Sequence, residues 1–235
     1  LPLQELDVKK LPYIFLLILI IWAQPISAQN DTTKTAKLSI DIDNFNFMKN
    51  AEFFNPIMDG YTDIGYFLSP KLTYHFSEKI NLSGGVHFLK YSGNDDFSKV
   101  LPVLTVSFQP TKAFKMEFGS FIGGINHRLI TPLYFEDYHW KQNPENGIRF
   151  RYKAKRIENE LWLNWENHIE RLDDYQERFT LGYSGTVKIN EKANKFNIDM
   201  PLQMVFTHRG GQGKENEHTV ESIGNFAGGI TLYFN

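Results

Sequence analysis

The sequence predicts an all-β chain, an antiparallel up-and-down transmembrane β-barrel of about ten strands, either closing alone or forming part of a larger barrel. Three observations carry this. Apolar and polar residues alternate through segment after segment. The connections between those segments are short and long by turns. The first segment has the order of an export leader.

The composition sets outer bounds. The 235 residues carry a formal net charge of −2, so no nucleic acid or other polyanion is expected as partner. With Cys at 0, disulfide scaffolds and thiolate metal sites are excluded. Aromatic residues make up 15% of the chain, yet the mean hydropathy is −0.36. A helical membrane protein would not combine those values. A membrane barrel would, because its apolar and polar residues alternate and average out.

Residues 1–28 read as a cleaved signal peptide. Lys9 and Lys10 precede the apolar run "LPYIFLLILIIW", and "AQPISAQ" supplies small residues before a cut near Ala28–Gln29. The run is only about half of the ~20 residues that a spanning helix needs. Residues 29–37 form a polar linker, and 38–235 the barrel. Strands are expected over 38–47, 61–76, 80–88, 102–108, 114–122, 148–154, 157–165, 179–189, 196–206 and 226–234. Each shows the period of two that sends neighbouring side chains to opposite faces of a pleat. In 67–88, for example, Leu68, Leu72, Tyr74 and Phe76, then Ile80, Leu82, Val86 and Phe88, alternate with polar residues. The first strand changes parity, from Leu38, Ile40 and Ile42 to Phe45 and Phe47, which predicts a bulge near Asn44. Pro70, Pro102 and Pro201 oppose their strands, since proline removes a ladder donor.

The short connections are 77–79, 110–113, 155–156 and 190–195, and the long ones 48–60, 92–99, 126–146, 168–177 and 208–218. Short periplasmic turns opposite long extracellular loops are the barrel pattern, and an even strand count leaves both termini in the periplasm. Aromatics mark strand ends, as in Tyr66, Tyr74 and Phe76, and in Phe196 and Phe206. Ten residue steps span about 33 Å. Tilted by about 45°, that is roughly 23 Å, close to the apolar band of such barrels.

With these features, "NPIMDGY", "GSFIGGINHRLITPLYFE" and "HRGGQ" make 38–235 resemble the porin-like outer-membrane β-barrel proteins of Gram-negative bacteria. The resemblance implies outer-membrane lipid and lipopolysaccharide as surroundings, insertion by the barrel-assembly machinery, and diffusion of small solutes. It brings no catalytic motif. The expected function is therefore a porin-like passive channel or a structural barrel, with no enzyme activity, no cofactor and no metal. The alternatives are a binding or adhesion barrel with a plugged lumen, and a rim-loop hydrolase.

Two constellations stand out. In "GIRFRYKAKRIENELWLNWEN", one register sets Ala154 opposite Ile157, Lys153 opposite Glu158 and Arg151 opposite Glu160. Arg149, Arg151, Lys153, Glu158, Glu160 and Glu166 then form a lumen charge ladder, which either selects ions or simply fills a narrow interior with paired charges. In loop 126–146, Tyr134, Glu136, Asp137, Tyr138, His139 and Trp140 form a candidate rim-loop binding set. They hold a solute or glycan, plug the mouth, or rest on the rim against lipopolysaccharide. The hydrolase alternative would draw on His127, Asp137, His139, His168, Asp173 and Asp174. His75 and His87 are expected to face inward in a polar network.

Overall fold

In a computed structural model, residues 37–54, 59–122, 124–170, 173–190, 196–211 and 219–234 are described. The expected leader and nearly all of the linker lie outside them. All strands belong to one antiparallel sheet in which each pairs with the next in sequence: β1 Leu38–Ala51, β2 Tyr61–His75, β3 Ile80–Tyr91, β4 Lys99–Phe108, β5 Phe114–Phe121, β6 Glu145–Lys153, β7 Ile157–Asn167, β8 Arg178–Lys188, β9 Phe196–Arg209 and β10 Glu221–Gly228. A last piece, β11 Thr231–Phe234, also pairs with β9. Gly228 faces Leu202 and Thr231 faces Asp199 in a single register, so β10 and β11 are one interrupted strand.

Proline explains the interruption. Gly229 N–H donates to the Pro201 carbonyl at 3.2 Å. An antiparallel pair would return a bond from residue 201, and proline has no N–H to return. The other two prolines are placed in the same way. The β2–β3 register steps from Leu68 to Lys71, passing over Pro70. Pro102 lies beyond the β4–β5 ladder, which starts at Thr105.

The strand count and the up-and-down order are those the alternation predicts. Of the two forms expected, a barrel closing alone is not the one observed: among the described residues no ladder joins β1 to β10 or β11, and the sheet is open and wrapped.

The sheet is polar inside and apolar outside. Ser69, Thr73, His87, Thr105, Ser107, Glu117, Thr180 and Ser184 are buried on the inner face. On the outer face Ile40 is 73% exposed and Leu104 60% exposed. A protein that folds around an apolar core reverses this arrangement.

The expected bulge at Asn44 is absent: β1 stays in one register with β2 from Leu38 to Ala51. The parity change has another cause. Phe45 and Phe47 point inward because the interior itself turns apolar at the long-loop end. There Phe47, Phe67, Leu89 and Trp140 form a buried cluster with Phe45 packed against it.

Trp140 belongs to the connection between β5 and β6, which folds into the sheet as a plug. It contains a short helical turn, Ile125–Arg128, and the single-turn helix α1, Tyr138–Lys141. Trp140 stacks on Phe47 at 4.8 Å, and His139 meets Phe45 edge-on at 4.5 Å. Asp137 accepts bonds from Lys49 of β1 and Tyr61 of β2, while Lys141 bridges to Asp63 at 2.9 Å. Toward the other side of the wrapped sheet, Gln203 of β9 bonds the plug backbone at Arg128 and Ile130, both at 2.9 Å. The reading of this segment as an aromatic cluster resting on the rim is corrected: Leu129, Tyr134, His139 and Trp140 are buried, while Ile130 and Phe135 stay exposed.

Candidate active site

Hydrolysis by a serine nucleophile needs a hydroxyl bonded to an imidazole whose far nitrogen meets an acid. Three Ser–His contacts occur among the described residues. Ser69 Oγ lies 2.7 Å from His87 Nδ1, but both residues are fully buried in the wall, out of a substrate's reach. Ser39 Oγ lies 3.0 Å from His75 Nε2, whose other nitrogen is held by Asn81 at 2.7 Å. That imidazole has an amide partner and faces the polar interior.

The third contact differs. Ser222 Oγ lies 2.8 Å from His208 Nδ1. His208 Nε2 lies 3.8 Å from Glu177 Oε1. Ser222 is exposed, while Glu177 is buried, 4% exposed. The acid is thus shielded and the hydroxyl accessible. The separation to Glu177 is within ion-pair reach and longer than a hydrogen bond, as is common before a substrate tightens a site.

Three consecutive strands assemble this group at one rim. Glu177 leads into β8, His208 is near the end of β9 and Ser222 is near the start of β10. Gly210 N–H donates to the Glu177 carbonyl at 3.0 Å, which carries the β8–β9 pairing past its last residues. The chain turns away through Gly210 and Gly211, whose φ values of +84° and +112° suit glycine. A Cβ on Gly211 would sit 3.6 Å from Glu177 Oε1 and 3.7 Å from His208 Nε2, so the turn closes over the acid–base pair.

The group also has a defined depth. Register places Trp165 opposite Phe179, Phe179 opposite His208 and His208 opposite Ser222. Trp165 stacks on Phe179 at 5.3 Å, and the Phe179 and His208 rings are 5.1 Å apart. The Ser–His pair therefore continues an aromatic row along the outer wall, on the face opposite the plug.

The interior holds the other charges. The β6–β7 register does pair Lys153 with Glu158 and Arg151 with Glu160. The contacts are not a simple ladder, however. Arg149 and Arg151 both turn to Glu117 of β5, at 2.7 and 3.2 Å, because Glu160 is occupied by the plug. His127 lies between two carboxylates, with Nδ1 2.6 Å from Glu160 and Nε2 3.0 Å from Glu145. Glu145 also accepts from the Tyr134 hydroxyl at 2.6 Å, and the His127 ring stacks on Trp162 at 3.9 Å. Burial pushes the His127 pKa down, but Glu145 and Glu160 outweigh it and hold the pKa above the ordinary value. With a carboxylate at each nitrogen, His127 clamps Glu145 to Glu160 across the plug. Glu166 lies apart from this cluster, bonded to Arg178 at 2.8 Å and to Thr180 at 2.6 Å.

A family model for lipid A 3'-O-deacylase-type proteins matches residues 30–235. The chain belongs to that family. A search of curated proteins gives no match. The family match overturns the porin-like resemblance and, with it, the expectation of a passive channel without enzyme activity. Alternation and loop order report a barrel wall and say nothing of what the wall does. The family is one of outer-membrane enzymes, and lipid A is a component of lipopolysaccharide, so a membrane lipid setting stands.

Of the residues considered for rim hydrolysis, His127, Asp137 and His139 are buried in the plug. His168 and Asp174 are exposed, and Asp173 bonds the Glu170 backbone at 2.7 Å. Within the rim-loop binding set, Tyr134, Asp137, His139 and Trp140 are buried anchors and Tyr138 packs on Tyr134 at 4.8 Å, leaving Glu136 exposed. Sequence reading missed Ser222, His208 and Glu177. It began the last strand at residue 226 and put His208 in a loop. The available signal was "HRGGQ", where paired glycines beside a histidine mark a tight turn over a polar group.

Proposed function

We propose that this chain is an outer-membrane esterase that removes an acyl chain from lipid A, at the 3'-O position for which its family is named, using Ser222, His208 and Glu177. The observation that carries the reading is the placement of the Ser–His pair in the outer aromatic row. Aromatic belts sit at the membrane–water interface. The ester that joins an acyl chain to a lipid sugar lies at that depth, with the chain below it in hydrocarbon and the sugar above. The long-loop end of the sheet is the extracellular end, so the site meets the outer leaflet. The apolar outer face is solvated by lipid tails.

The chemistry follows from the geometry. Ser222 Oγ attacks the ester carbonyl carbon as its proton passes to His208 Nδ1. Glu177 stabilises the resulting imidazolium from the Nε2 side. The tetrahedral adduct collapses, the C–O bond to the sugar breaks, and the sugar oxygen takes the proton from His208. Water then attacks the acyl-serine with His208 as base, releasing a fatty acid and restoring the hydroxyl. No cofactor enters this sequence.

Mass spectrometry of lipid A from outer membranes containing the chain tests this. The expected result is loss of one ester-linked acyl chain with the intact chain and none with Ser222→Ala or His208→Gln, at equal amounts of folded protein. Unchanged lipid A with the intact chain, or deacylation that persists in Ser222→Ala, would overturn the assignment.

A further inference from the structure

We infer that the interior, on the opposite side of the wall from the esterase site, binds a soluble phosphorylated small molecule. A cavity of about 910 Å³ runs from the plug, at His127 and Arg128, to the short-turn end, at Lys112 and Ala113. On its β5–β7 wall the cations outnumber the acids. Glu117 is shared by Lys115 at 2.9 Å, Arg149 at 2.7 Å and Arg151 at 3.2 Å. Glu158 is shared by Arg128 at 3.0 Å and Lys153 at 3.3 Å. Glu160, the remaining acid of this wall, is taken up by His127. The facing wall is different: there Lys71 pairs with Asp43 at 2.5 Å and Asp41 adds a second carboxylate, so acids outnumber the cation and the excess of cations lies on the β5–β7 side.

Charges enclosed only to fill a protein interior are paired, since an unpaired one is costly. Here buried Glu117 is shared by three cations, buried Arg149, part-buried Lys115 and half-exposed Arg151, and Arg128 and Lys153 add further positive charge at the open side of the cavity. A second observation shows an unmet demand. Arg151 Nε is buried with no hydrogen-bond partner among the described residues, while the Arg151 side chain is 42% exposed toward the cavity. A phosphate offers several acceptor oxygens and nearly two charges, which suits a guanidinium fork beside an ammonium. The volume admits a sugar phosphate or pyrophosphate. Because the cavity reaches the short-turn end, the ligand enters from the periplasmic solution and not from the bilayer.

Calorimetric titration of the full chain, folded in micelles, with inorganic pyrophosphate and with glucose 6-phosphate tests the inference. Saturable binding is expected. Arg151→Gln should weaken it by about tenfold or more, the worth of one charge-assisted hydrogen bond. Glu158→Gln, which frees Lys153 and Arg128, should tighten it. Ser222→Ala should leave it unchanged. A purely structural role would not move affinity in opposite directions. Where Arg151→Gln does not fold, Lys115→Gln carries the same expectation. No saturable binding of either probe, or equal affinity in the intact chain and the cation variant, would overturn the inference.

Discussion

Gly182→Ala is the sharpest test of the interior packing. Gly182 of β8 lies directly opposite Trp162 of β7, and the indole covers it. A Cβ at residue 182 would sit 2.6 Å from Trp162 Cε2 and closer still to Cζ2 and Cη2. Ordinary contacts begin near 3.4 Å, so the ring would have to move by close to an ångström or more. It has nowhere to go: Trp162 is 0% exposed and His127 stacks on it at 3.9 Å with the planes 6° apart. Overpacking of this kind costs about 1–3 kcal/mol. Full expulsion of the ring would forfeit the burial of a Trp side chain, about 4–6 kcal/mol at 25 cal/mol per Å², and would remove the floor beneath the His127 clamp. Unfolding of the micelle-bound protein in guanidinium, with near-ultraviolet circular dichroism reporting the Trp162 environment, measures the effect. Gly84→Ala is the control, because a Cβ there meets only Leu104 Cδ1 at 3.9 Å, and it should stay within about 0.5 kcal/mol of the parent. If Gly182→Ala matches that control in midpoint and spectrum, the placement of Trp162 against Gly182 is wrong, and with it the seat of the plug.

Glu177→Gln should lower kcat for ester hydrolysis by about 10²-fold or more while KM changes little, since it weakens support for an imidazolium that forms only during reaction. Steady-state kinetics on a chromogenic ester decides this. Asp137→Asn removes the negative charge and one of the two acceptor oxygens that Lys49, Tyr61 and Lys141 share, and should cost about 1–2 kcal/mol and increase proteolysis of the plug. The pH dependence has a sign on each side. The pKa of His127 is raised, so the stability its clamp contributes is complete below the ordinary histidine value and is lost as pH rises through the raised one. Burial pushes the Asp137 pKa up, but hydrogen bonds from Lys49, Tyr61 and Lys141 bring it below the ordinary value. Its contribution is therefore present above that ordinary value and is lost as pH falls through the lowered one. Thermal unfolding across pH should show both flanks, and Asp137→Asn should reduce the acid one.

The wall was legible because lipid-facing strands must put an apolar residue on every second position, and short turns cannot pass for long loops. Even the β6–β7 register could be read, since Ile148, Phe150 and Tyr152 line one face and Arg149 and Arg151 the other. What could not be read came from the interior. Phe45 and Phe47 looked like a slip of register because an inward aromatic is indistinguishable, by period alone, from an outward one after a bulge. The plug that explains them lies about ninety residues further on. The proposed esterase residues were hidden for a different reason. On the outward face β10 reads Ser222, Gly224, Phe226, and on the other face Glu221, Ile223, Asn225. Neither face is uniformly apolar, so the alternation that marks a strand fails just where the strand carries polar chemistry. Proximity of Ser222 to His208 is a property of the β9–β10 register, which no spacing along the chain encodes.

That register is also what keeps the two faces of the wall apart. Side chains alternate with a period of two, so sliding β10 by one residue against β9 would send Ser222 to the inner side and bring Glu221 or Ile223 into the aromatic row. Two features oppose such a slip. At one end, Gly210 bonds to Glu177 and the Gln176 side chain donates to the Thr219 carbonyl at 3.2 Å, pinning the start of β10. At the other, β11 keeps the same register beyond the break at Pro201. A slipped strand would have to give up both. The proposed nucleophile thus stays on the outer face while the excess of cations stays in the polar interior, and on the two proposals one sheet keeps an acyl ester on its outside and an anion on its inside without either ligand meeting the other's site.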